Sequence, residues 1–134
     1  MAITIRSVET VNGQNQITDI FAPFTDLLVL RVVFDLSNDL ASLPGLQAHI
    51  TFVIIAAQSN QAVASVRTSA NIPTGREETI VWTGAQTPDA WGLTGKGDIF
   101  GLRVTVVLNS EQQQLDAFAV SDFRWFRLIE QFKL

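Results

Sequence analysis

The sequence contains no cysteine and only one histidine. The absence of cysteine excludes disulfides, thiolate nucleophiles and zinc–thiolate sites. His49 lies in a predicted strand with no second histidine to share a metal ion, so we interpret it as a partly exposed or hydrogen-bonded strand residue. No catalytic residue, metal site or cofactor is therefore predicted, and the chain is not expected to be an enzyme.

Charged residues are also scarce. They make up 16% of the chain, and the formal net charge is -4. The nine basic residues are scattered and form no stripe that could neutralise phosphates. Nucleic acid and anionic membrane surfaces are therefore not expected as partners. Apolar residues reach 47%, and so much apolar area with so little charge indicates that some of the surface meets another protein.

Long hydrophobic runs are missing as well. The longest uncharged apolar run, Ile50 to Ala57, has eight residues and is too short to cross a bilayer. The first residues lack the basic and apolar regions of a signal peptide, so we expect no membrane insertion and favour a cytoplasmic location. A length of 134 residues suits a single β-sandwich domain over residues 1–134.

What the sequence does contain is a regular alternation of apolar residues, with a period of two. Apolar residues alternate through Ile99–Leu108, Leu27–Leu36 and Leu46–Ala57, as in strands that bury one face. Turn signals recur about every ten residues, and no long amphipathic helix is evident. The pattern predicts an all-β fold, an antiparallel two-sheet sandwich of about seven or eight strands. A small β-barrel is the alternative.

The order of these strands, the long loop before Gly97-Asp-Ile-Phe-Gly-Leu-Arg-Val104 and the late hairpin resemble immunoglobulin-like and fibronectin type III-like sandwiches. Phe100 falls about where such domains often carry a corner tyrosine, but this chain has no tyrosine. The paired cysteines of antibody domains are missing too. The resemblance therefore implies a fold and no particular activity.

Acidic residues offer two weak candidates. The pair Glu77 and Glu78 is adjacent, so the two side chains point to opposite faces of a strand and do not suit a hydrolase. Asp35, Asn38 and Asp39 bring oxygen ligands together, and calcium binding there stays open. The preferred interpretation of all these acids is solvated charge or capping.

Trp91 lies in the longest predicted loop, among Pro, Asp and Gly. An exposed loop tryptophan can stack on a sugar ring, which gives one alternative function, a carbohydrate- or small-ligand-binding module. The other interpretation is that Trp91 folds back over the end of the sandwich.

The C-terminal run, Asp122 to Leu134, carries apolar residues at both parities, more than one buried strand face can hold. We predict that the excess forms a self-association interface, in which aromatics and arginine are favoured. The residues assigned to it are Phe126, Leu128, Phe132 and Arg124, extended by Leu27, Val29 and Val33. A bulge or bend that returns both sets to one core is the alternative.

Together these features predict a non-catalytic β-sandwich module that acts through protein–protein contacts in a structural or assembly role and is homo-oligomeric. A ligand-binding module that uses Trp91 is the second hypothesis. A hydrolase that uses loop carboxylates is the third and least supported.

Overall fold

The computed structural model describes residues 2–12, 17, 21–23, 27–93, 98–111, 115 and 117–129, without the side chains of residues 21–23, 89, 128 and 129. Nine strands make up most of the described chain. In order they are β1 (Ile3–Asn12), β2 (Phe21–Pro23), β3 (Leu28–Leu36), β4 (Leu46–Ala56), β5 (Gln61–Ile72), β6 (Glu78–Trp82), β7 (Ile99–Ser110), β8 (Ala117–Val120) and β9 (Arg124–Ile129). A single helical turn, α1 (Asn38–Ala41), follows β3, and a 3₁₀ turn covers Pro88–Trp91.

The strands form two sheets. The small sheet has the order β1-β3-β6, and the large sheet has the order β2-β9-β7-β4-β5, with β8 also paired to β7. All neighbouring strands are antiparallel except β2 and β9, which run parallel. The predicted two-sheet β-sandwich is therefore confirmed, and the sheets do not close into the alternative barrel.

The core lies between the sheets and is built by the predicted alternation. Every second residue of β3, from Leu28 to Leu36, is buried, and so is every second residue of β7, from Phe100 to Leu108. The inward residues of β4, among them Phe52, join the same cluster. Each large apolar side chain buried in this way contributes about 1.5–3 kcal/mol, so these rows fix which side of each strand faces inward.

After Leu115 the chain forms two short strands instead of one continuous strand. Two strands, β8 and β9, pair with β7 on the same side, and residues 121–123 separate them. Thr105 lies opposite Val120 and Leu102 lies opposite Arg124, so three residues face the two residues 103 and 104 of β7. The extra residue is a bulge, and it reverses which parity of the chain points outward.

Ser121 completes the pairing at this bulge. Its backbone N–H donates to the Val104 carbonyl at 2.9 Å, and its hydroxyl accepts the Val104 N–H at 2.9 Å. A side-chain oxygen thus replaces the backbone acceptor that the irregular segment cannot supply. The strand is interrupted here without leaving the Val104 amide unpaired.

Two buried threonines near the end of the small sheet differ in their hydrogen bonding. The Thr83 hydroxyl accepts the Leu30 N–H at 2.9 Å and lies 3.4 Å from the Leu30 carbonyl oxygen, to which it can donate. The Thr79 hydroxyl is buried and has no hydrogen-bond partner. A buried hydroxyl without a partner reduces stability, whereas a bonded one recovers its desolvation cost.

We therefore predict opposite effects for the same substitution at these two positions. Thr79→Val should raise the free energy of unfolding by about 1 kcal/mol, because a methyl group replaces an unpaired hydroxyl. Thr83→Val should lower it by about 1–2 kcal/mol, because the Leu30 amide loses its acceptor. Urea denaturation of the two variants and the parent measures both. Equal changes in the free energy of unfolding would contradict the conclusion that only the Thr83 hydroxyl is hydrogen-bonded.

Candidate interaction surface

The outer face of the large sheet carries a group of exposed apolar side chains. Phe118 is 64% exposed, Val120 50% and Trp125 43%. Val107 lies directly opposite Phe118, and Ile99 lies two residues along β7 from the partner of Trp125; both are also exposed. We call these five residues the outer apolar patch. Side chains opposite each other across antiparallel strands lie about 4.5–5.5 Å apart, so Val107 and Phe118 are neighbours. Trp125 and Ile99 lie further along β7, beyond Arg103.

Gly101 allows the tryptophan of the patch to lie flat on the sheet. Gly101 is buried and pairs with Trp125, and a Cβ atom built on it would lie 3.0 Å from the Trp125 ring and 3.2 Å from the Phe123 ring. The Phe123 and Trp125 ring centroids are 5.4 Å apart. The absence of a side chain on Gly101 thus makes room for two aromatic rings over the strand.

A cation completes this aromatic cluster. The Arg103 guanidinium lies 5.3 Å from the centroid of the Phe123 ring, close enough for a cation–π interaction. Its Nε is buried without a hydrogen-bond partner. Phe123, Trp125 and Arg103 therefore hold each other in place in the middle of the outer apolar patch, between Ile99 and Val107.

The rest of this face is polar and cationic. Beside the patch, His49 and Arg67 line a shallow pocket of about 390 Å³ on β4 and β5. The strand ranges of the large sheet contain no aspartate or glutamate. Arg127 points outward opposite Ile99, so the cations Arg67, Arg103 and Arg127 face an open surface, with the exposed carboxylates Asp98 and Asp122 next to the ends of β7, β8 and β9.

The outer face of the small sheet has the opposite charge pattern. Arg6 lies between two carboxylates, with its Nη1 2.7 Å from Glu78 Oε2 and its Nε 3.6 Å from Asp35 Oδ2. Arg31 forms an ion pair with Glu9. These charged side chains are all on one face, because Asp35 and Glu78 are register partners and Glu9 lies opposite Arg31.

Apolar side chains are exposed on this face too. Trp82 is 47% exposed and Ile80 44%. The Arg31 guanidinium lies 4.9 Å from the centroid of the Trp82 ring, within the range of a cation–π interaction. The same guanidinium is ion-paired with Glu9, which fixes its position beside the ring. The small sheet thus presents an aromatic residue within a mainly acidic surface.

The structure places Phe126 and Arg124, two of the predicted interface residues, on the inward side of the large sheet. Phe126 is half-buried, packs against the core and stacks on Phe100 with ring centroids 5.7 Å apart. Arg124 is half-buried, and its Nη1 donates to the Val8 carbonyl of β1 at 2.8 Å. The Leu128 side chain and Phe132 lie outside the described residues. The assignment of these four residues to an interface stays a prediction.

The predicted extension of that interface lies on the other sheet. Val29 and Val33 are half-buried on the outer face of β3, and Leu27, which precedes the strand, is exposed. The structure does not bring them beside Phe126. Sequence reasoning missed Phe118 and Val120, because it considered only the run from Asp122 onward. It missed Trp125, because it assigned the other parity of that run to the interface. The polar pair Ser121-Asp122, within an otherwise apolar run, was the available signal for an interruption.

Trp91 is half-buried, and its indole N–H donates to Gln86 Oε1 at 2.6 Å. The ring packs against the core, an arrangement that favours the packing interpretation over an open sugar platform. Ligand binding at Trp91 stays a prediction.

Within the part of the chain that the structure describes, no three His, Cys, Asp or Glu side chains come together to hold a metal ion. His49 is exposed on β4, and the calcium candidate Asp35 is engaged by Arg6. None of the helices described in the structure has the length and apolar character needed to span a membrane.

Comparisons with known proteins show no family. No family model matches the chain, and none of the curated proteins matches it. Among solved structures, the chain is similar to AggA, the major subunit of aggregative adherence fimbriae type I from Escherichia coli. The match has a TM-score of 0.43 and 9% sequence identity, and it covers 98% of this chain and 97% of that chain.

The packing over Gly101 gives a matched pair of substitutions. Gly101→Ala should lower the free energy of unfolding by about 1–3 kcal/mol, because the methyl group displaces the Trp125 and Phe123 rings. Gly84→Ala should change it by less than about 0.5 kcal/mol, because nothing lies within 4 Å of the new Cβ atom. Thermal denaturation and near-ultraviolet circular dichroism measure stability and ring packing. An unchanged aromatic signal in Gly101→Ala would contradict this packing.

Proposed function

We propose that the protein is a non-catalytic β-sandwich module that self-associates and serves a structural or assembly role. The outer apolar patch carries this proposal. Five large apolar side chains are exposed along one face of the large sheet, and one of them, Phe118, is 64% exposed. Exposed apolar side chains concentrated on one face typically mark a contact surface.

The composition of the surface supports a protein partner. Aromatic residues and arginine are enriched in the centres of protein interfaces, and Trp and Arg supply many of the residues that dominate binding energy. Trp125, Phe123 and Arg103 form such a group, and their mutual contacts fix their positions before a partner arrives. Side chains that are already ordered lose less conformational entropy on binding.

The outer face of the large sheet is also large enough for a specific protein contact. Four strand widths of about 4.8 Å and the 11 residues of β4, at about 3.4 Å each, give a planar area of roughly 700 Å². A specific interface of standard size buries about 800 Å² on each partner. The whole outer face, and not the patch alone, is thus needed for a stable contact.

We predict that Phe118→Glu weakens self-association and leaves the fold intact, because the side chain is mostly exposed in the isolated subunit. Size-exclusion chromatography with light scattering, over a series of concentrations, measures the mass of parent and variant. Thr74→Glu, in the exposed turn after β5, adds the same charge away from both sheet faces and serves as the control. Phe126→Glu is a poor probe, because Phe126 stacks on Phe100 in the core.

A parent that remains monomeric at several hundred micromolar would rule out the proposed self-association. A Phe118→Glu variant that associates as strongly as the parent would place the contact elsewhere on the molecule. Circular dichroism of each variant checks that the sandwich is retained.

A further inference from the structure

We propose that copies of this chain associate head to tail, with the outer face of the large sheet of one copy against the outer face of the small sheet of the next. This inference rests on the proposed self-association and specifies its geometry. The partner is a second copy of the same chain, and the two contacting surfaces are different.

Charge complementarity is the first argument. The chain carries 13 acidic residues, yet none falls within a strand of the large sheet. The outer face of that sheet presents Arg67, Arg103 and Arg127. In a protein of net charge -4, this face is a local region of positive charge. Surfaces of opposite sign attract each other and suppress the contact of like surfaces.

The small sheet supplies the matching surface. Its outer face holds Glu9, Asp35 and Glu78 with only two arginines, and Arg6 is shared between Asp35 and Glu78. One carboxylate is therefore in excess and able to accept a further cation. Trp82 and Ile80 are exposed beside these charges and offer apolar area to Phe118 and Trp125 of the next copy.

A contact between two large-sheet faces is less complementary in charge. It has more area, but it sets Arg103 and its cationic neighbours against the same residues of the partner. Arg103 also lies in the middle of the outer apolar patch, stacked on Phe123, and cannot move away without giving up that contact. Like charges brought together at an interface oppose association.

The two faces lie on opposite sides of the sandwich, because each is the outward side of its own sheet. A bound pair therefore keeps one free face of each kind, one on each copy. Such a heterologous contact propagates into an open assembly unless its rotation closes a ring. Since packed sheets are about 10 Å apart, each added copy lengthens a stack by roughly 20 Å.

The smaller face limits the strength of each contact. Three strand widths of about 4.8 Å and the nine residues of β3, at about 3.4 Å each, give roughly 430 Å² of planar area. This is about half of what one partner buries in a standard interface. Assembly should therefore grow with protein concentration, and salt should weaken it because exposed charges contribute.

Mixing two variants, each blocked on one face, tests the geometry. Phe118→Glu blocks the large-sheet face, and Trp82→Glu blocks the small-sheet face, where both side chains are exposed. Analytical ultracentrifugation is performed at a concentration at which the parent exceeds a dimer. We expect each variant alone to be monomeric and an equimolar mixture to form a 1:1 dimer that does not extend. Thr74→Glu should assemble as the parent does.

The other outcomes separate this inference from the proposed function. If Trp82→Glu assembles like the parent while Phe118→Glu is monomeric, large-sheet faces pair with each other, and the head-to-tail geometry is wrong although self-association stands. A mixture that stays monomeric overturns the geometry as well. A monomeric parent overturns both proposals. Ile80→Glu, on the same face as Trp82, repeats the small-sheet block if Trp82→Glu fails to fold.

Discussion

The register of β7 with the strands on either side determines the surfaces of this protein. β7 pairs with β4 on one side and with both β8 and β9 on the other. Its inward residues, from Phe100 to Leu108, are part of the core. Because side chains alternate across a strand, a shift of one residue in the pairing exchanges the buried and the exposed sets. The bulge at residues 121–123 makes such a shift once, within the last hairpin.

This local irregularity has consequences for both sides of the large sheet. Before the bulge, Phe118 and Val120 point outward, and after it Trp125 does. Phe126, which would have shared the outward side with Phe118 in a regular strand, instead stacks on Phe100. The single extra residue thus places one aromatic residue in the core and leaves another beside Gly101, where the backbone has no side chain to exclude it.

Alternation in the sequence was sufficient to predict the sandwich and most of its core. The inward rows of β3, β4 and β7 are long and regular, so period two identifies them without knowledge of their neighbours. The C-terminal surface could not be predicted in the same way. Which parity of the described residues after Asp122 faces outward depends on a bulge that is stabilised by the hydrogen bonds between Ser121 and Val104, residues 17 positions apart in sequence. The charge of each outer face cannot be predicted from the sequence either. Glu9, Asp35 and Glu78 are far apart in sequence, and they share a face only because of the way the strands pair.

The division of the chain between its two sheets also bears on the order in which the protein is made. The strands of the small sheet are complete by Trp82, whereas the large sheet needs β7, β8 and β9, which follow residue 98. During synthesis the apolar inner side of β3 therefore emerges well before the surface that will cover it, and exposed apolar strands favour aggregation. The hydrogen bond from Arg124 to the Val8 carbonyl joins residues 116 positions apart, so β1 and β9 are linked only after residue 124 has been made. Closure of the sandwich over the inner side of β3 therefore cannot be completed before the strands that follow residue 98 are made.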